Sequence, residues 1–220
     1  MNGPSDSNYV PALGFHRLTP LYDAVVGPTT REGTFKRALI EQANIEPGHR
    51  ILDVACGTGT LAIWIKDNQP NSEVIGVDGD PAILAIASRT TQKAGISVQF
   101  DRAFSFDLPY PEAHFDRVVS SLFFHHLSWL DKQRTAQELF RILKPGAELH
   151  IADWGRATNV LMRGLFLSIP LLDGFKNTQH NVSCKLIELF EQAGFLQVSQ
   201  RHTYSTIYGT MALYSAVKPN

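Results

Sequence analysis

The sequence predicts an α/β protein built on a largely parallel sheet, and three observations carry that prediction. From residue 50 onward, short β-branched runs alternate with longer stretches of helical spacing, the pattern of successive βαβ units. The apolar run "ILDVA" passes into Cys56-Gly57-Thr58-Gly59 and then into the first turns of a helix, a strand–loop–helix unit. Near the C-terminus, two runs rich in Thr, Tyr and Val flank Tyr208-Gly209 and read as a hairpin that closes the sheet.

Taken in order, strands are expected at 50–54, 73–78, 97–101, 115–120 and 147–153, followed by the hairpin runs 196–206 and 210–217. Between them, "DPAILAIASRTTQKAG" offers Asp80 as N-cap, Pro81 at the first helical position and Gly95 as a stop. "DKQRTAQELFRILKPG" places Ala136, Leu139, Phe140 and Leu143 on one face and ends at Pro145-Gly146. "NVSCKLIELFEQAGF" repeats the helical spacing through Leu186, Ile187, Phe190 and Ala193, with Gly194 as the C′ residue. Two segments break the alternation: 1–45, interrupted by Pro11, Pro20, Gly27, Pro28 and Gly33, and 155–181, inserted after the fifth strand. Both are candidate lids.

Bulk properties narrow the function. The chain has 220 residues, 44% hydrophobic and 19% charged, ordinary values for a globular protein able to bury a sizeable core. Its 20 basic and 21 acidic residues give a net charge of −1, so no global field collects nucleic acid or anionic lipid. Cys56 and Cys184 are too few and too far apart for a disulfide framework or a zinc site, which points to a reducing compartment, the cytoplasm. "MNGPSDSNYVPALG" has neither a basic start nor a continuous apolar run, so no secretory signal is expected there. The most apolar later stretch, 160–172, contains Arg163 and Pro170 and is too short to span a bilayer. It reads as a helix packed on the domain, with Leu161, Leu165, Phe166, Ile169 and Leu172 as a possible wall of an apolar pocket.

The glycine loop raises the question of which nucleotide it holds. Gly57-x-Gly59-x-x-Ala62, with Asp78 ending the next strand, formally satisfies a dinucleotide fingerprint, and an NAD(P)-binding oxidoreductase is one reading. Asp53 argues against it: a carboxylate four residues before Gly57 faces an incoming pyrophosphate, and like charges about 5 Å apart at an effective dielectric near 20 cost roughly 3 kcal/mol. A ligand that carries an ammonium, a sulfonium and one carboxylate reverses the sign.

"LDVACGTG" and "VIGVDGD" resemble the first two motifs of the class I S-adenosylmethionine-dependent methyltransferases. "LPYPEAHFDRVVSS", "FFHHL", "RILKPGAEL" and "YDAVVG" agree with that family in order and spacing, and the resemblance, over about residues 20 to 217, is closest to the quinone-biosynthesis-like group. It implies a single Rossmann-like, doubly wound domain of seven strands, mostly parallel with one antiparallel edge strand, topped by helical lid segments. The chain then divides into an N-terminal lid at 1–45, a cofactor-binding core at 46–154, an acceptor-side insertion at 155–181 and the last helix with the hairpin at 182–220. The implied reaction is methyl transfer from S-adenosyl-L-methionine, with S-adenosyl-L-homocysteine as product and no metal, to a small or lipid-like acceptor at carbon, oxygen or nitrogen. A module that binds the cofactor without catalysis is a further reading. The oligomeric state is not fixed by sequence.

Position by position, the resemblance places Asp53 and the Ala55–Gly59 backbone near the methionine moiety, Asp78 on the ribose hydroxyls, Gly79 beside the adenine, the Ser120 carbonyl on the ammonium, and Tyr22 over the methionine end. Ala55 stands where the family often has glycine. Phe104 and Ser105 stand where the family commonly has an acidic residue followed by alanine, so the usual carboxylate contact to the adenine is missing; Phe104 can stack on the purine, worth on the order of 1 kcal/mol, while the Ser105 N–H keeps its contact. His125 is the first candidate for a base if the acceptor must lose a proton. His126 beside it reads as structural, Cys56 as a small filler, and Asp153-Trp154 as either a strand-end turn or part of the ligand end of the sheet.

Overall fold

The computed structural model describes residues 32–155, 185–206 and 209–220. Tyr22, the run Leu161–Leu172, Cys184 and Tyr208 lie outside the described residues. The order of elements is α1 (Glu32–Ala43), β1 (Arg50–Val54), α2 (Thr60–Asn68), β2 (Glu73–Asp78), α3 (Pro81–Lys93), β3 (Gln99–Arg102), β4 (Phe115–Ser121), a short 3₁₀ turn (Phe124–His126), α4 (Trp129–Ile142), β5 (Leu143–Trp154), α5 (Lys185–Gln192), β6 (Leu196–Thr206) and β7 (Gly209–Val217).

Local chemistry accounts for most of these boundaries. The Asp80 side chain accepts from the Ala82 N–H and Pro81 occupies the first turn of α3, while Gly95 beyond its end adopts φ 69°. α4 is capped by Ser128, whose hydroxyl accepts from the Asp131 N–H. It stops at Ile142, three residues before Pro145, because Leu143 already turns extended (φ −71°, ψ 142°) and a proline disfavours helix in the residue before it. β5 therefore begins at Leu143 rather than at 147. Pairing with β4 jumps from Phe115↔Leu143 to Arg117↔Glu148, and the extra β5 residues are secured by Gly146 N–H to Lys218 O and Lys218 N–H to Ala147 O, both 2.9 Å.

Seven strands form one sheet in the order β3-β2-β1-β4-β5-β7-β6. Pairs among β1 to β5 are parallel; β7 runs antiparallel to both β5 and β6. The antiparallel pairing expected at that edge is present, with β7 one place in and β6 outermost.

The central strands are apolar on both sides because both faces are covered. Leu52, Val54, Val118, Leu149 and Ile151 face α4 and α5 through Ala136, Leu139, Leu186 and Phe190. Ile51, Val119, Ala152 and Leu213 face α1 and α2 through Phe35, Leu39, Ile40, Leu61 and Ile65. α1 is thus a core helix: Phe35 and Leu39 are fully buried, at about 1.5–3 kcal/mol for each side chain. Among the described residues no helix is long and apolar enough to cross a membrane. β1 and β4 run parallel, but successive strands are added outward in opposite directions from their junction, β2 and β3 on one side and β5 on the other, which puts the crevice for a ligand at the carboxyl ends of those strands.

Candidate active site

Three consecutive backbone devices build a cradle at the end of β1. Ala55 and Gly57 adopt left-handed conformations (φ 56° and 55°), and Gly59, at φ 81°, caps α2 without a side-chain hydrogen bond. The Cys56 N–H donates to Val77 O (3.0 Å) and the Gly57 N–H to Asp78 Oδ2 (3.2 Å), so β2 holds the loop from the side. A Cβ on Gly57 would meet nothing within 4 Å, whereas one on Gly59 would come within 3.2 Å of Ala87 and Phe100. Gly57 therefore borders open space, and Gly59 lets α3 and β3 close in behind. Gly59 gives the start of α2 no side-chain cap, while the Ala62 N–H in its first turn serves the buried Asp53 carboxylate.

Two carboxylates flank the cradle. Asp78 is largely buried, and besides the Gly57 N–H it accepts from the Asp80 N–H (3.0 Å); burial raises its carboxyl above the usual range against those bonds. Asp53 is 1% exposed and its Oδ2 has no hydrogen-bond partner. Burial pushes its carboxyl up to about 7, with Lys36 on α1 opposing and Asp78 adding to the rise. A buried carboxylate oxygen left in this state attracts a donor or a cation and repels a phosphate. The residues present thus fit a cationic amino-acid ligand and oppose a pyrophosphate.

The remaining candidates surround this core. Ser120 is fully buried opposite Val54, to whose carbonyl its hydroxyl donates (2.8 Å), and the Gly79 carbonyl accepts from Arg102 Nε (3.3 Å). The Ala103 N–H donates to Asp78 O, which sets Phe104 and Ser105 beside the end of β2. Phe104 lies parallel to Phe106 with centroids 5.4 Å apart, Arg134 covers Phe106, and the Ser105 hydroxyl is engaged by Thr135 (2.8 Å). The Cys56 thiol is buried and its pKa is pushed well up by that burial, in keeping with a filler.

At the ends of β4 and β5 the structure joins two features that the sequence left apart: His125 Nδ1 lies 2.8 Å from Asp153 Oδ1, and both residues are buried. His126 stacks obliquely on His125, centroids 3.9 Å apart. Lys132 on α4 and Lys36 on α1, both buried, were missed by the sequence reading. The available signal for Lys132 was its place in the stripe Lys132, Thr135, Ala136, Leu139, Ile142, where α4 otherwise buries small or apolar residues. Among the described residues no cluster of three or more His, Cys, Asp or Glu is arranged to hold a metal ion. A cleft of about 450 Å³ between α1 and the β5–β7–β6 edge is separate from the cradle. Its Gln42 donates to Tyr214 O and contacts His150, which meets Glu148, so much of its polar chemistry is internally paired.

Comparisons with known proteins bear on the family and the fold. Residues 51–146 match the family described as "Methyltransferase domain". The chain is 34% identical over 145 residues to a demethylmenaquinone methyltransferase of Thermus thermophilus, covering 64% of each protein. It is 26% identical over 228 residues to a ubiquinone/menaquinone biosynthesis C-methyltransferase of Pseudomonas fluorescens, covering 93% of this chain and 87% of the relative. The chain spans less than two thirds of the length of the first curated relatives that it matches. Among solved structures, an S-adenosylmethionine-dependent methyltransferase from Aquifex aeolicus superposes with TM-score 0.68 at 18% identity, covering 92% of this chain and 97% of that one. At that identity the likeness shows the fold, and fold alone does not set the reaction.

Proposed function

We propose, from the match of residues 51–146 to the methyltransferase domain model, that this protein transfers a methyl group from S-adenosyl-L-methionine to a small, lipid-like acceptor of the quinone type. The cofactor, when bound, supplies a methyl carbon on a sulfonium that is already an activated leaving group. The protein's work is to bind, align and exclude water, and orientation alone can contribute several kcal/mol.

The observation that carries the reading is the unpartnered Oδ2 of buried Asp53 beside an open glycine cradle. Asp53 receives the positive end of the methionine moiety, the Ala55–Gly59 backbone follows that moiety, and the Ser120 carbonyl shares the ammonium. Asp78 takes the ribose hydroxyls with the lone pairs its backbone donors leave. Gly79, Phe104 and the Ser105 N–H border the adenine; Tyr22, which the family resemblance assigns to the methionine end, lies outside the described residues. The acceptor class follows the relatives, which include demethylmenaquinone and 2-phytyl-1,4-naphthoquinone methyltransferases, and His125 is the base if a proton must leave. No metal takes part in this scheme.

The test is incubation of the protein with S-adenosylmethionine and a reduced alkyl-naphthoquinone, followed by mass spectrometry. A product heavier by one methyl in place of hydrogen, formed together with S-adenosylhomocysteine, is expected. Binding of NAD without binding of S-adenosylhomocysteine would replace this reading by an oxidoreductase.

A further inference from the structure

A buried ionic cluster that the cofactor cradle does not use sits at the carboxyl ends of β4 and β5. Asp153 Oδ2 accepts from the N–H groups of Phe123 (3.1 Å) and His125 (3.3 Å), and Oδ1 accepts from the Trp154 N–H (2.7 Å) and faces His125 Nδ1 at 2.8 Å. Four donors thus meet one carboxylate that has no solvent exposure. Burial alone raises its pKa, but His125 and the Trp154 N–H outweigh that effect and hold it below the ordinary carboxylate range. An ionised Asp153 has no proton to give, so Nδ1 of His125 must carry the shared one, and in the uncharged ring the lone pair is then on Nε2.

Other titratable groups face the pair from the loop after β4 and from α4. Burial, with His125 adding, pushes His126 down to about 3, so its ring is uncharged. Burial pushes Lys132 down to about 8 against the pull of Asp153, which leaves a cation on the α4 side at neutral pH. Trp154 closes the β5 side, its ring 6.4 Å from that of His125. The two backbone bonds to Oδ2 already fasten the loop after β4 to β5. The bond from Nδ1 adds little to that fastening; what it adds is a fixed tautomer.

We propose that Asp153 is a positioning residue: by engaging Nδ1 it holds His125 in the tautomer that leaves Nε2 to take a proton from the reduced, hydroxylated form of the quinone-type acceptor. This rests on the methyl-transfer reading above. In the step, the acceptor O–H bond breaks and its proton passes to Nε2. The electron pair released makes an oxygen or ring carbon nucleophilic and forms the new bond to the methyl carbon, while the C–S pair returns to sulfur as a neutral thioether. For attack by carbon, loss of the ring proton to solvent restores the aromatic system. Neutral amines, which attack through a lone pair they already hold, do not need this device.

The experiment compares the wild-type protein with Asp153→Asn and His125→Gln, using ¹⁵N-labelled histidine spectra and methyl transfer to a reduced 2-alkyl-1,4-naphthoquinone under anaerobic conditions. Melting shifts with S-adenosylhomocysteine come first, because a wild type that fails to bind it defeats the methyl-transfer reading itself. The expected result is a wild-type His125 in the Nδ1–H form before any acceptor is added, a change of tautomer in Asp153→Asn, and a fall in kcat of about 10²–10⁴-fold in each variant with cofactor affinity within threefold. An Nε2–H tautomer in the wild type overturns the proposal, as does either variant retaining kcat within threefold. Should Asp153→Asn fail to fold, the wild-type spectrum and His125→Gln decide by the same criteria.

Discussion

Replacing Asp53 with Asn should make the free protein more stable and the cofactor complex weaker, two effects of opposite sign from one atom. In the folded chain burial pushes the Asp53 carboxyl up to about 7 from its ordinary value of 3.8. The folded state therefore holds this proton more tightly than the unfolded state, and stability falls as pH rises from about 4 to about 7, levelling off above that. At 1.36 kcal/mol per pKa unit, the ionised form costs the fold about 4 kcal/mol at pH 8 as an upper bound, and below about 1 kcal/mol at pH 4. A neutral amide of the same shape escapes that cost. If half of it is realised, about 2 kcal/mol, Tm rises by about 4–8 °C for a chain of this size. The same change removes a charge-assisted contact to the ligand's ammonium, worth about 1.5–3 kcal/mol, so affinity for S-adenosylhomocysteine should fall about 10–150-fold. Calorimetric melting at pH 5 and 8, with a titration of the ligand, reads both. A variant with unchanged or lower Tm at pH 8 would refute the buried-carboxylate argument, and unchanged affinity would refute the role given to Asp53.

Three other perturbations test neighbouring parts of the account. With Asp53 ionising near 7, wild-type affinity for S-adenosylhomocysteine should weaken about tenfold from pH 8 to pH 6, since the ionised fraction drops from about nine tenths to one tenth; a dissociation constant constant within twofold over that range would contradict it. Gly57→Val puts a β-branched residue at φ 55° and fills the open side of the cradle, so stabilisation by S-adenosylhomocysteine should vanish while the sheet still melts cooperatively; full ligand stabilisation would show that the loop is not the cradle. Phe104→Asp exchanges a stacking ring for a carboxylate able to read the purine amine, and should change discrimination between the adenine and hypoxanthine forms of the ligand more than overall affinity; equal selectivity in both proteins would remove position 104 from the base site.

The parts of the fold legible in the sequence are those written in local code. The alternation of strand and helix, the Asp80-Pro81 start of α3 and the hairpin that ends the chain are consequences of neighbouring residues, and the structure places them within a residue or two of expectation. The start of β5 was misplaced because Pro145-Gly146 reads as a break, while in the structure it is a bulge held by the distant Lys218 backbone. The same division runs through the site. Asp53, Gly57, Gly59 and Asp78 lie within one strand–loop–helix–strand stretch, so that they meet in the fold is legible from spacing. The His125–Asp153 pair joins a loop after β4 to the end of β5, and Lys36 acts on Asp53 from α1. Such couplings depend on which strands become neighbours in the sheet, and no local pattern states that.

Titration of the protein with S-adenosylhomocysteine, beside the same titration of Asp78→Ala and a parallel one with NAD, bears most directly on the claim that the glycine cradle and its two carboxylates hold an adenosyl amino acid rather than a dinucleotide. The account predicts saturable binding of S-adenosylhomocysteine by the wild type, at least tenfold weaker binding when Asp78 loses its carboxylate, because each charge-assisted bond to the ribose is worth roughly 1.5–3 kcal/mol, and no saturable binding of NAD. Saturable binding of NAD with none of S-adenosylhomocysteine, or an affinity unchanged within twofold in a folded Asp78→Ala, would contradict it.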